Sequence, residues 1–355
     1  VKKVLYIGWI GYKNLGDDLL WNIFYGLSEK FQLEAKQIKI VPSFPRVDIS
    51  DLKPYDTIVL GGGSLISPTY IHILKKALDM NKRVIIWGSG IDRISEKNLE
   101  SLQSSTKLQL RQRFNEGEAI ILKNVFSRAS YGGVRGNLTK QALVALGVNQ
   151  EDIQVIGDPG LLLTTKKPLN KKEKIIGINW GTTLNTLYGN NEKHLELQLV
   201  ETCKALINKG YKLYIYCVWD QDKAACQRLY KKIDDVENVV LDYTLYSEQE
   251  LIPLLSSCTL TINYKLHPNL LSLAANVPFI ALGYRYKVFD FAQSVGLEEY
   301  VLSTSNTNLL EDILNLTSKI ETNTESILNT YKEKRDLYLP LIEKPFYSNL
   351  FVEVV

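Results

Sequence analysis

The segment Tyr6-Ile7-Gly8-Trp9-Ile10-Gly11-Tyr12-Lys13-Asn14-Leu15-Gly16-Asp17-Asp18 carries an apolar strand into an amphipathic helix through a glycine-rich turn that ends on two acids. From Gly11 to Gly16 the spacing copies the first half of a phosphate loop. Asp17 and Asp18, however, stand where Lys and Ser or Thr would grip a nucleoside triphosphate and its Mg²⁺. Two carboxylates there repel a triphosphate. Nor do the glycines fall as G-x-G-x-x-G, and the next strand, Ile38 to Val41, runs into Pro42 and Ser43 without an acid for a ribose. The turn opens a nucleotide-binding type of fold that is built for neither ATP nor NAD.

A second chemical constellation is Asn263-Tyr264-Lys265-Leu266-His267-Pro268, after the predicted strand Leu260 to Ile262. Proline suits the first position of a helix, which would make His267 the N-cap and present a titratable imidazole at the end of the strand. Gly283-Tyr284-Arg285-Tyr286-Lys287 follows the next strand, so Lys265, Arg285 and Lys287 could form a cationic floor for a carboxylate or phosphate. In the first half, Val134-Arg135-Gly136-Asn137 ends at a helix start, where Arg135 would suit an anion.

These groups need a scaffold that brings strand ends together. Short β-rich apolar runs alternate with helical patterns, which reads as parallel α/β. The first series of strands is Val4 to Ile7, Ile38 to Val41, Thr57 to Leu60, Val84 to Trp87, a short one near Val125, and Gln154 to Ile156. The second is Ile175 to Asn179, Lys212 to Val218, Val239 to Leu241, Leu260 to Asn263 and Phe279 to Leu282. Thr164 to Lys174 (TTKKPLNKKEK), with five lysines and a proline, separates the series as a solvated linker. The expected organisation is a Rossmann-like domain over 1–165, a linker over 166–174, a second Rossmann-like domain over 175–325, and a closing helix (roughly Thr322 to Leu339) and tail over 326–355 that can pack back on the first domain. Two doubly wound domains suggest a cleft bordered by the carboxyl ends of both sheets, where ligands of open parallel sheets bind.

Glycine dominates those strand ends in the first half: Gly61-Gly62-Gly63-Ser64, Gly88-Ser89-Gly90 and Gly157-Asp158-Pro159-Gly160. Glycine lets a backbone amide approach a ligand, and a helix starting there aims N–H groups at an anion. Trp9, Trp87, Trp180 and Trp219 gather at the same edges, as indoles that pack against sugar C–H faces or cap the sheet core.

Composition narrows the partners. With 42 basic and 39 acidic residues the net charge is +3, too little excess to argue for nucleic acid or an anionic membrane surface. The longest apolar tract, Leu270 to Leu282, is interrupted by Asn276 and Pro278 and falls short of the ~20 residues that span a bilayer. Lys2-Lys3 ahead of a short apolar run reads as a first strand rather than a leader. Cys203, Cys217, Cys226 and Cys258 include no C-x-x-C pair and have no nearby His, as expected of buried reduced thiols in a cytosolic protein without a metal site.

Taken together, Asn14, Gly16, Asp17 and Asp18, the Gly61-Gly62-Gly63-Ser64 turn, Val134-Arg135-Gly136, Gly157-Asp158-Pro159, and Lys265-Leu266-His267 leading to Ala275-Asn276-Val277-Pro278 and Tyr286-Lys287 resemble the polysaccharide pyruvyltransferase family, in the family's order from about Val4 to Gly296. The resemblance implies two Rossmann-like domains in a glycosyltransferase-B-like (GT-B-like) arrangement. It also implies transfer of pyruvate from phosphoenolpyruvate (PEP) to paired hydroxyls of a sugar in a cell-surface polysaccharide or its lipid-linked precursor, forming a cyclic ketal without cofactor or metal. Where the family commonly has Arg-Leu-His, this chain has Lys265-Leu266-His267, which replaces a bidentate grip by a point charge and leaves Arg285 or Arg135 to compensate.

On that reading His267 is the acid, Asp17 or Asp18 orients or deprotonates the sugar hydroxyls, and Arg135, Lys265, Arg285 and Lys287 hold PEP. Asn14, Gly16, Trp9, Gly62, Gly63, Ser64 and Trp180 then face the sugar. A helix N-terminus lowers the pKa of His267 and bound PEP raises it, with the trianionic donor expected to win. The expected setting is cytoplasmic, with a lipid-linked acceptor drawing the enzyme to the inner face of the membrane. A GT-B glycosyltransferase using a nucleotide sugar and a non-catalytic saccharide-binding protein are the alternatives, and the oligomeric state stays open.

Overall fold

The computed structural model describes residues 1–103, 113–165 and 173–352. Most of the expected linker, 166–172, lies outside the described residues. The chain divides into two compact units. One comprises Val1–Tyr12, Asp17–Leu162 and the chain from Arg335 onward; the other comprises Lys13–Gly16 and Leu163–Lys334.

The first unit is built on β1 (Lys2–Ile7), β2 (Ile38–Pro42), β3 (Thr57–Leu60), β4 (Arg83–Ser89), β5 (Tyr131–Val134) and β6 (Gln154–Val155). They form one sheet in the order β2-β1-β3-β4-β5-β6, and every pair is parallel. The helices of this part of the chain are α1 (Leu15–Lys30), α2 (Pro68–Asp79), α3 (Glu96–Gln103), α4 (Glu116–Arg128) and α5 (Asn137–Ala145). Val4, Leu5, Tyr6, Ile58, Val59 and Leu60 are buried without alternation, as in a parallel sheet covered on both faces.

The strand expected near Val125 is instead helix. Asn115 and Glu118 close a capping box at the start of α4, and Leu122, Val125 and Phe126 share its buried face at helical spacing. The strand comes later, at Tyr131–Val134.

The second unit repeats the plan with β7 (Ile175–Asn179), β8 (Lys212–Tyr216), β9 (Val239–Asp242), β10 (Leu260–Asn263), β11 (Phe279–Gly283) and a further strand β12 (Val301–Ser303). Their order is β12-β11-β10-β7-β8-β9, again parallel. Its helices are α6 (Glu192–Asn208), α7 (Lys223–Ile233), α8 (Glu248–Leu255), α9 (Leu266–Ala274), α10 (Tyr286–Ser294) and α11 (Leu309–Tyr347). The closing helix is thus much longer than Thr322 to Leu339, and from Arg335 its residues belong to the first unit. There Phe346 packs on Phe24, and the Trp87 indole N–H donates to the carbonyl of Ile342 at 2.9 Å. All four cysteines are buried free thiols.

Candidate active site

Each sheet reverses its strand order once, and the loops that follow the two strands flanking the reversal open a crevice at the carboxyl edge. In the second unit those strands are β7 and β10. Asn179 closes β7, and its side-chain oxygen accepts the N–H of Lys265 at 3.1 Å while its carbonyl accepts the N–H of Tyr264 at 3.0 Å. The turn after β10 is therefore pinned to its neighbour before α9 begins.

Lys265, not His267, is the N-cap of α9; His267 and Pro268 are its second and third residues. Proline is tolerated there because the first-turn N–H groups have no intrahelical acceptor to lose. The Lys265 ammonium donates to the carbonyl of Thr182, lies 3.3 Å from Asp222 Oδ1, and sits over the Trp219 and Tyr264 rings at 5.3 and 5.5 Å. Its side chain is 14% exposed. This cation, expected on the floor of an anion site, is already engaged. Asp222 is fully buried, and Oδ1 also accepts the Thr182 N–H at 3.0 Å. Burial raises the Asp222 pKa, and the Lys265 charge works against that rise.

The Nδ1 side of the His267 ring is pressed against the backbone of Gly16: a Cβ there would stand 2.0 Å from Nδ1 and 2.7 Å from Cγ. Gly16 reaches this place because Lys13–Gly16 belongs to the second unit. The Leu15 N–H donates to the carbonyl of Val218 at 3.0 Å, Asn14 forms an antiparallel bridge with Trp219, and the Asn14 side-chain oxygen accepts the Gly16 N–H at 3.1 Å. Asn14, Gly16, Lys265 and His267 are thus brought together.

Arg285 and Lys287 flank the start of α10, with Arg285 as its N-cap. Both cations lie over the ring of Tyr284, at 4.8 and 5.5 Å, and both are half-buried. Trp180, Tyr264 and Tyr284 follow the neighbouring strands β7, β10 and β11 and pack in a row, with centroids 4.6 and 5.0 Å apart. Trp180 is fully buried and its indole N–H donates to Glu196 at 3.2 Å, so it caps the sheet core and presents no face to a sugar. Glu192 supports the row. Burial disfavours its charge, but the Thr183 N–H, the Thr182 and Thr183 hydroxyls and the Tyr264 hydroxyl together hold its pKa below the usual value.

In the first unit the reversal lies between β1 and β3. Asp17 and Asp18 occupy the first turn of α1, the favourable end of the helix dipole for acids. Asp18 accepts the N–H of Gly11 at 2.8 Å and so closes the loop after β1. Gly63 has φ +101°, and a Cβ on it would meet Asp17 Oδ1 at 3.3 Å; Gly62 lies against Leu20. Trp9 is half-buried and stacks on Tyr12 at 4.7 Å. Arg135, expected to face an anion, is 1% exposed beneath these turns. Its guanidinium is 3.4 Å from the Gly63 carbonyl and from Ser64 Oγ, in space left by Gly90. It braces the glycine turns from below.

Sequence reasoning passed over Asn179, Asp222, Glu192, Tyr264 and Tyr284. The available cue was position: Asn179 ends β7, Tyr264 and Tyr284 directly follow β10 and β11, and β7 and β10 flank the reversal in strand order, whereas Asp222 and Glu192 stand at the starts of α7 and α6 and carried no such signal. Among the described residues no cluster of three or more His, Cys, Asp or Glu side chains is placed to hold a metal ion, and no helix is long and apolar enough to cross a membrane.

Comparison with known proteins agrees with this architecture. The amylovoran biosynthesis protein AmsJ of Erwinia amylovora is 22% identical over 286 residues, a match covering 73% of this chain and 64% of AmsJ. Among solved structures, S. aureus MnaA in complex with UDP matches with a TM-score of 0.62 at 11% identity, covering 100% of this chain and 99% of that one. WaaG, a glycosyltransferase involved in lipopolysaccharide biosynthesis, matches with a TM-score of 0.55 at 9% identity, covering 99% and 100%. At these identities the likeness is one of fold, the two-sheet GT-B type. The model of the polysaccharide pyruvyl transferase family matches residues 14–286, from the Asn14 turn through the start of α10, and the chain belongs to that family.

Proposed function

We propose that this protein transfers pyruvate from PEP to two hydroxyls of a saccharide acceptor, forming a cyclic ketal and releasing phosphate. The observation that carries the reading is the edge of the second sheet. There a histidine in the first turn of α9 and two cations seated on one tyrosine ring follow adjacent strands, with His267 and Arg285 inside the segment that matches the family and Lys287 directly after it.

PEP presents a phosphate and a carboxylate. Arg285 and Lys287 supply the positive charge, and the first-turn N–H groups of α9 and α10 add donors. His267 delivers a proton to the vinyl CH₂ of PEP, which becomes a methyl group and leaves an oxocarbenium-like C2. One sugar hydroxyl adds to C2 and gives up its proton to a carboxylate, for which Asp17 and Asp18 are the candidates. The C2–O bond to phosphate then breaks. The second hydroxyl adds at the same carbon and loses its proton, closing the ketal; one PEP and one diol yield one ketal and one phosphate.

The glycine turn Gly62-Gly63-Ser64 and the Trp9 ring offer the amides and aromatic face that a neutral sugar uses. A lipid-linked acceptor at the inner face of the membrane fits this chemistry.

The test is incubation with PEP and a panel of free, methyl and lipid-linked hexosides. The expected result is a pyruvylated sugar by mass spectrometry, with one phosphate released per adduct. Parallel titration with UDP- and GDP-sugars tests the alternative, and glycosyl transfer with no consumption of PEP would sink the pyruvyl reading.

A further inference from the structure

We infer that Lys265 and Asp222 act as a positioning pair for His267, and that Lys265 is not a ligand of the donor. The reaction that supplies the readouts is the one proposed above, on which this inference rests.

Three elements meet at the pair. Asp222 directly precedes α7, Thr182 lies in the turn after β7, and Lys265 caps α9. Asp222 Oδ1 takes both the Thr182 N–H and the Lys265 ammonium, and the ammonium also takes the Thr182 carbonyl. The carboxylate can enter because Gly181 has no side chain: a Cβ there would stand 2.1 Å from Oδ1. Trp219 and Tyr264 provide aromatic faces over which the ammonium lies. These contacts fill the short reach of one ammonium with three donor positions. The backbone is fixed as well, since the Lys265 N–H donates to Asn179 and the Lys265 carbonyl accepts from the Asn269 side chain at 3.0 Å. His267 is two residues further on, and Trp219, under the ammonium, bridges to Asn14, which holds Gly16 against the imidazole. The pair thus fixes both the helix that carries the acid and, through Trp219 and Asn14, the start of α1 that the acid rests on.

Removing one partner of a buried pair strands the other charge, whereas removing both does not. The test compares Lys265→Met, Asp222→Asn, the double variant and Lys265→Arg. Lys265→Met should lower the melting temperature, and adding Asp222→Asn should recover most of the loss. The double variant should bind PEP within about twofold of the wild type, while kcat falls ~10- to 100-fold and the His267 imidazole resonance shifts, as expected of an acid displaced by an ångström or less. Lys265→Arg, which keeps the charge, should restore both kcat and the resonance toward the wild type. A double variant that loses PEP binding while its His267 resonance is unchanged would make Lys265 a donor ligand and overturn the inference. So would additive effects of the two substitutions on melting temperature. The melting cycle and the His267 resonance do not involve PEP, so a wild type that binds no PEP counts against the proposed reaction alone.

Discussion

Replacing Gly16 with alanine tests the placement of His267 most directly. The added Cβ would lie 2.0 Å from Nδ1, 2.7 Å from Cγ and 2.9 Å from Cε1. Carbon contacts are most favourable at ~3.5–4.0 Å, so the ring must withdraw by roughly 1.5 Å. The backbone directly before the contact offers no relief, because Asn14 and Leu15 are bonded to Trp219 and Val218. Overpacking of this kind costs ~1–3 kcal/mol. Alanine returns at most ~1 kcal/mol of helix propensity, less in a first turn. The net destabilisation is therefore ~0–3 kcal/mol, a fall of several degrees in melting temperature at most, at ~2–4 °C per kcal/mol. Misplacing an acid by about an ångström costs ~10²-fold in rate, or ~2.7 kcal/mol of transition-state stabilisation. Activity should thus fall far more than stability. Phosphate release from PEP with an accepted sugar measures the first, and thermal unfolding the second. With only three histidines in the chain, the His267 imidazole can be followed by NMR in the same sample. Gly26 in the same helix is the control: a Cβ there meets nothing within 4 Å, so Gly26→Ala should stabilise by ~0.5–1 kcal/mol and leave turnover alone. A Gly16→Ala protein with normal turnover and an unmoved His267 signal would refute the assignment of His267 as the acid held by that glycine.

Three other substitutions separate the remaining roles. His267→Gln should cut phosphate release by ~10²–10⁴-fold while PEP still binds, and near-normal release rules the acid assignment out. Asp18→Asn keeps an oxygen for the Gly11 N–H but removes the charge, so the loop after β1 should persist while acceptor kinetics deteriorate; unchanged KM and kcat for the sugar would remove Asp18 from the mechanism. Glu192 has a folded-state pKa below its unfolded one, so its contribution to stability is complete above the unfolded value of 4.5 and is lost as pH falls through the folded value. Glu192→Gln should therefore flatten the acid limb of stability below about pH 4.5 and lower stability at neutral pH, read by denaturant melts across that range, and an identical acid limb would contradict it.

The doubly wound plan was legible because covered parallel strands are apolar without interruption, and Thr57–Leu60 and Ile175–Asn179 stand out for that reason. The same rule fails at Tyr131–Val134, where two glycines dilute the strand signal and the more apolar Val125 draws the expectation into a helix. The N-terminal part of α11 was hidden by its polarity. Ile313, Ile320 and Ile327 recur every seven residues on one buried line, but Thr317 shares that line and the intervening residues are mostly polar or charged. At the site, the residue types at strand ends could be read in order, but the partners of each cation could not. Lys265 and Arg135 look like anion ligands in a string of letters; one is engaged by Asp222 and Thr182, the other is buried behind Gly63 and Ser64.

The opening turn makes the same point in reverse. Gly11 and Gly16 suggested a loop that wraps a phosphate, and Asp17 and Asp18 argued against one. In the structure Gly16 is required by a side chain from the far end of the sequence, because only a bare Cα leaves room for the His267 ring. Asn14 is required because its side chain caps the Gly16 N–H while its backbone joins Trp219. The spacing Asn-x-Gly-Asp therefore encodes two things: a seat for an imidazole in the second unit and, one residue later, a pair of acids that begins the first unit's helix. A phosphate loop would need its glycines to admit an anion. Here one of them admits the His267 ring instead, so the motif seats an imidazole rather than an anion and has no need of the P-loop lysine.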